Sequence, residues 1–209
     1  MKKGNFSVIL IKKTIEERVE NMSDRDKAEE LLHKHLKNDK LILHCYAVEA
    51  VMSALAEKLE PGSKKDWGIA GLLHDLDETT IDWIKNPELL GPIAVEILKT
   101  EGFGNERIYH AICAHNQLNG TKIISKMDAA AYAGDPITGF ITAIALAYPD
   151  KKLINVKVKS IVKRMKDTRF AAGANREAMY SIENLGIPFP EFAELSLNAM
   201  LKISDKLGL

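Results

Sequence analysis

Apolar residues recur at three- and four-residue steps along most of this chain, the spacing of one face of an α-helix. The first clear stretch opens at Ser23, where Ser23 and Asp26 have capping-box spacing, and carries Ala28, Leu31 and Leu32 to about Leu36. Asn38 offers the next N-cap. From there Leu41, Leu43, Ala47, Val48, Val51, Met52, Leu55 and Leu59 make a long apolar face, stopped by Pro61-Gly62. Ser63, with Asp66 three residues on, predicts a cap for a helix through Trp67 to His74. Pro87 and Pro92 read as first-turn prolines, the second leading a helix to Gly102. Asn105 can cap Ile108–His115, and a Ser125/Asp128 capping box opens the very apolar Met127–Ala147, which contains Pro136. Beyond Pro149 a basic amphipathic stretch covers 151–176, Asn175 can cap 176–183, and 191–207 reads as one last helix. The first twenty residues are ambiguous: Phe6–Ile11 fits a short strand or an irregular lead-in, and Lys13–Asn21 is weakly helical. No repeat and no βαβ pattern emerges, so the expectation is all-α, a bundle of roughly eight to ten helices around one core. Residues 1–22 would be a lead-in, 23–150 the central bundle, and 151–209 further helices packed on it within the same domain.

Composition changes this picture little. Lys plus Arg equal Asp plus Glu, at 29 each, so no global field selects a nucleic acid or an anionic membrane. The basic 151–176 stretch lacks the interleaved aromatics of a single-strand binder. Cys45 and Cys113 lie in apolar helical contexts without CxxC spacing and read as reduced thiols. The basic start is followed by too few apolar residues for a signal peptide, and no apolar run approaches the ~20 residues of a membrane span. These features together suggest a cytoplasmic protein with no membrane partner; its oligomeric state is open, a homo-oligomer included.

Chemistry concentrates where polar groups sit in apolar company. His44 lies mid-helix among Leu41, Leu43, Ala47 and Val48. His74 and Asp75 follow Gly71-Leu72-Leu73 directly, and Asp135 sits inside the most apolar segment of the chain. An isolated buried charge is costly, so such groups must be paired, hydrogen-bonded or bound to metal. Two imidazoles and two carboxylates make a nitrogen and oxygen donor set for a divalent cation. Neighbours on a helix point ~100° apart, so His74 and Asp75 share an ion only if it lies in the wedge between them, as at a helix end. The alternative is a set of unrelated polar residues, each satisfied by backbone.

The ordered set of His44, the adjacent His74-Asp75 and a distant Asp135 resembles the HD-domain superfamily of metal-dependent phosphohydrolases. Gly91–Leu98 is similar to the helix after the pair, and Ile112-Cys113-Ala114-His115 resembles the superfamily's Ile-x-x-His segment; the likeness covers roughly 38–147. It implies an HD-domain-like helical bundle holding a divalent cation (Mn, Fe, Co, Ni, Zn or Mg) on His44, His74, Asp75 and Asp135. It further implies hydrolysis of a small phosphorylated molecule, such as a nucleotide, by metal-activated hydroxide. Asp135 is preferred to Asp128, whose capping-box position gives it another task. The binuclear branch carries extra histidines near Leu90 and beside His115 that are lacking here, which implies one ion. Asp77, just past the pair, would move a proton, or else lie in an exposed loop or cap the next helix, and His115 would bind substrate or a water. Outside the resemblance, the basic stretch reads first as a solvated helix face; if it reaches the site, Lys163, Arg164 and Arg169 at its centre would contact phosphate. The same domain could alternatively serve as a ligand-sensing or interaction module with a structural metal, or as a phosphodiesterase.

Overall fold

The computed structural model describes residues 22–209, so the expectations for Phe6–Ile11 and Lys13–Asn21 lie outside the described residues. Ten α-helices and no strand occur among the described residues, joined by short 3-10 turns. The helices are α1 (Asp24–His35), α2 (Asp39–Leu59), α3 (Lys64–Leu73), α4 (Pro92–Thr100), α5 (Glu106–Ala114), α6 (Lys126–Leu146), α7 (Val158–Met165), α8 (Arg176–Tyr180), α9 (Phe189–Leu201) and α10 (Ser204–Leu207).

Their starts follow local chemistry. The side chains of Ser23, Asn38, Asn105 and Asn175 accept hydrogen bonds from first-turn amides of α1, α2, α5 and α8. Ser125 and Asp128 form the reciprocal capping box of α6. The cap expected at Ser63 is not made. Pro61–Ser63 is a 3-10 turn running straight into α3, and the Ser63 hydroxyl donates to Glu60 Oε1 instead. The helix expected over 191–207 is also broken, between Leu201 and Ser204. That break turns Leu207 inward to a buried position. It also sets Lys206 Nζ 3.3 Å from the Tyr46 ring centroid and 2.9 Å from Glu29 Oε1.

Helices α2 and α6 run side by side through the centre. Against α2 pack α3 on one side and α9 on another, while α5 and α8 pack on α6. One apolar cluster joins residues from Ala28 to Leu207, with Trp67, Phe140 and Phe192 among its fully buried side chains. By length and composition α6 is the one helix among the described residues able to cross a membrane, contrary to the expectation that no apolar run approaches that length. Here its apolar residues fill the bundle core, with Ile137, Phe140, Ile141 and Ile144 fully buried. Helices α2 and α3 meet unusually closely. A Cβ on Gly71 would lie 2.9 Å from both Met52 Cγ and the Val48 carbonyl oxygen, so only glycine lets the two backbones approach this far. This contact brings the end of α3 up to His44.

Candidate metal centre

His74 and His115 occupy equivalent positions, each the first residue past a helix, α3 and α5 respectively. The last carbonyls of a helix have no amide partner within it. Each histidine uses one: His74 Nδ1 donates to Gly71 O at 2.9 Å, and His115 Nδ1 donates to Ile112 O. A carbonyl only accepts, so the proton sits on Nδ1 in both rings and Nε2 is left facing the interior of the bundle. His44, on α2, reaches the same arrangement by another route. The Thr138 hydroxyl donates to Asp135 O at 2.9 Å, and its oxygen accepts from His44 Nδ1 at 3.1 Å. Three imidazoles from three helices are thus oriented from behind, as the partners of metal-ligating histidines orient them.

The three Nε2 atoms converge on two carboxylates. His44 Nε2 is 3.0 Å from Asp135 Oδ1 and 3.7 Å from Asp75 Oδ2. His74 Nε2 is 3.2 Å from Asp75 Oδ2 and 3.7 Å from Asp135 Oδ1, and His115 Nε2 is 3.5 Å from Asp75 Oδ1. Potential donor atoms of His44, His74 and Asp75 lie within 4.8 Å of one another, as do those of His74, His115 and Asp135. Burial disfavours charge on His74, yet the adjacent carboxylates of Asp75 and Asp135 outweigh it and hold its pKa well above the ordinary value. Burial likewise opposes charge on Asp75 and Asp135, and the histidines beside them hold both well below the usual carboxylate range. The cluster is a compact set of charges whose inner members, His74, Asp75 and His115, are buried.

These residues fit a divalent cation. His74 Nε2 and His115 Nε2 are fully buried and, among the described residues, face the Asp75 oxygens without hydrogen-bond geometry, an arrangement that leaves them unsatisfied unless something lies between them and the carboxylates. Neutral imidazole nitrogens with carboxylate oxygens are the donor set of Mn, Fe, Co, Ni or Zn. The site is most open at one edge: the His74 side chain is 2% exposed, whereas His44 and Asp135 are 23% and 30% exposed. A ligand therefore meets the cluster at the His44–Asp135 edge.

The remaining candidates are placed differently. Asp77, expected either to move a proton or to lie in a loop or cap the next helix, is fully buried, and its Oδ2 accepts from Gly91 N at 2.8 Å and Ala94 N at 2.9 Å. It serves as the carboxylate at the N-terminus of α4, where the helix dipole favours negative charge. Burial nevertheless raises its pKa, with the two amides opposing that shift. His115, expected to act on substrate or water, stands among the donor atoms themselves. Asp128 stays in its capping box and lies 3.0 Å from His110 Nδ1, which sets both apart from the cluster. Lys163 is exposed, Arg164 stacks 4.1 Å from the Phe170 ring centroid, and Arg169 extends into solvent beside Asp167. None of these three cations lines the cavities beside His44. Thr138 belongs to the site without having been a candidate from the chain alone. Its signal was its position three residues after Asp135, a spacing that lets a threonine hydroxyl bond back to the helix carbonyl.

No curated protein and no solved structure matches the chain. The model of one family, described as HD domain, matches residues 41–163, more than half of the chain. That span includes all five clustered residues and Thr138. With the convergent histidines, the His74-Asp75 pair and Asp135 on an all-helical frame, this match shows that the chain belongs to the HD-domain family.

Proposed function

We propose that the protein is a metal-dependent phosphohydrolase acting on a small phosphorylated molecule. The observation that carries this reading is the trio of His44, His74 and His115. Each ring has its Nδ1 proton committed behind it, and each turns Nε2 toward Asp75 and Asp135. His44, His74, Asp75 and Asp135 would hold the cation. When bound, it supplies positive charge for a phosphoryl oxygen and makes water acidic enough to act as a nucleophile near neutral pH. The chain's own residues do the rest. Asp135 and His44, at the open edge, set where the phosphoryl group arrives. The buried wall behind His74 excludes bulk water. His115, with Nδ1–H fixed on Ile112 O, keeps a lone pair on Nε2 that can take a proton from the attacking water. Asp77 anchors the turn after the His74-Asp75 pair to α4 and so keeps the pair in place.

A hydrolysis panel tests this. Purified protein supplied with Mn²⁺, Co²⁺, Ni²⁺, Zn²⁺ or Mg²⁺ is offered nucleotides, sugar phosphates and p-nitrophenyl phosphate, beside a folded His74→Ala control. Phosphate release that requires the cation and disappears in the variant is the expected result. Stoichiometric cation with no release from any ester would overturn the reading in favour of a sensor or interaction module.

A further inference from the structure

Two cavities flank the open edge of the cluster. One, of about 460 Å³, lies between α6 and the chain from Ala171 to Asn175, with Asp135, Pro136 and Phe140 on its α6 side. The other, of about 320 Å³, is walled mainly by Leu43, Ala47, Leu146, Leu207 and Leu209. Both include His44 and Gly139, so they adjoin at these two residues.

Gly139 is the unexplained member. It sits inside α6, exposed, and beyond its own helix backbone no atom of the described residues lies within 4 Å of the position a Cβ would take. Gly134, on the same helix, faces Met52 Sδ and Val51 Cγ1 in ordinary contact and has a packing context. A glycine inside a helix weakens it relative to alanine, and at 139 no atom of the described residues demands one. The residue is one helical turn beyond Asp135, on the same face. Its missing side chain is therefore absent at the place where the remainder of a molecule held at Asp135 and His44 would lie. The opposite wall is firmly built: the Arg176 guanidinium donates to the carbonyls of Met165, Asp167, Phe170, Ala171 and Ala174, fixing a turn in which Ala171 has φ +44°.

Charge on these walls narrows the occupant. Among the described residues lining the two cavities, Lys40 is the one lysine or arginine. A chain of phosphates running from the cluster would meet no row of cations, whereas an uncharged group would meet leucine and alanine side chains. We propose that Gly139 is the floor of the substrate cleft and that the organic part of a phosphomonoester, uncharged and partly apolar, crosses it into the leucine-lined cavity. This rests on the phosphohydrolase reading for the phosphoryl end and adds which residue sets the size and polarity of the rest.

Binding of phosphonates, which are not hydrolysed, tests the cleft separately from turnover. Calorimetry on cation-loaded protein compares phenylphosphonate with methylphosphonate in wild type, Gly139→Ala, Gly139→Leu and Leu146→Glu. Wild type should prefer the phenyl compound by about tenfold or more, from burial of the ring. Gly139→Leu should abolish that preference while cation content and methylphosphonate affinity stay unchanged. Leu146→Glu should reduce it through polarity alone, and Gly139→Ala should retain part of it with a raised Tm. Equal affinity for the two phosphonates in wild type, or a preference that survives in Gly139→Leu, would overturn the proposal. A phenyl preference lost in Gly139→Leu, with no ester hydrolysed, would leave the cleft standing and remove the phosphohydrolase reading.

Discussion

A hydroxyl and a carboxylate that touch no ligand do much of the positioning at this site. Thr138 holds His44 by accepting its Nδ1 proton, and without that acceptor the ring is free to turn. Thr138→Val should therefore weaken cation binding by about 10- to 100-fold, the usual effect of removing an outer partner of a metal ligand. Competition against a calibrated chelator measures it, and Thr138→Ser, which keeps the hydroxyl, should restore it. Asp77 acts on backbone. Asp77→Ala strips Gly91 N and Ala94 N of their acceptor in a buried place, at a cost of about 1–3 kcal/mol. Urea denaturation should show that loss, while cation stoichiometry at saturation stays that of wild type. The polar-in-apolar context singled out His44, His74, Asp75 and Asp135 from the chain alone, because buried charge needs a partner. Capping of a following helix was one of the readings open for Asp77, and its partners 14 and 17 residues away across a turn decide for it.

Helices α2 and α3 carry His44 and His74, and Gly71 sets their separation. Gly71→Ala would place a methyl group 2.9 Å from the Val48 carbonyl, which rigid backbone relieves only by moving apart. The expected loss is about 1–3 kcal/mol of stability, accompanied by weaker cation binding; thermal unfolding with and without cation reads both. At the other end, Glu29 ties α1 to α2 and α10. Burial opposes its charge, but hydrogen bonds from Tyr46, Lys206 and Arg25 hold its pKa down to about 2, against an ordinary value of 4.5. A depressed carboxyl stabilises the fold above its unfolded value and loses that contribution as pH falls through the folded one. Glu29→Gln should thus lower Tm at pH 6, and the gap from wild type should close between about pH 4.5 and pH 2. Helix existence was legible from three- and four-residue periodicity. Two boundaries were not: Ser63 spends its hydroxyl on Glu60, and the chain bends between Leu201 and Ser204 to bury Leu207 and seat Lys206 on Tyr46. Both outcomes depend on side chains from other segments, which periodicity does not register.

Across the whole molecule, α2 and α6 form a central pair whose inner faces make the core and whose shared edge opens at His44 and Asp135. Balanced net charge gives no overall positive field to gather anions, so under the proposed function a phosphorylated ligand would be captured by the local positive charge a cation brings. The basic stretch that drew attention in the chain proves to be largely an exterior face, with Arg176 folding its own turn rather than meeting the cavity. Charge runs announce themselves in a sequence, whereas the absent side chain of Gly139 and the hydroxyl of Thr138 acquire meaning only beside His44. A cation held by the His-Asp cluster and used to hydrolyse phosphate esters is the proposal on which the rest depends. Its most direct test is a titration of cation into chelator-stripped protein, following bound metal and phosphate release from a hydrolysable ester together. Release is expected to rise in step with bound cation, to saturate when the cluster is filled, and to disappear together with the metal in His74→Ala. Full occupancy of the cluster without phosphate release, or release that persists in the stripped protein, would contradict it.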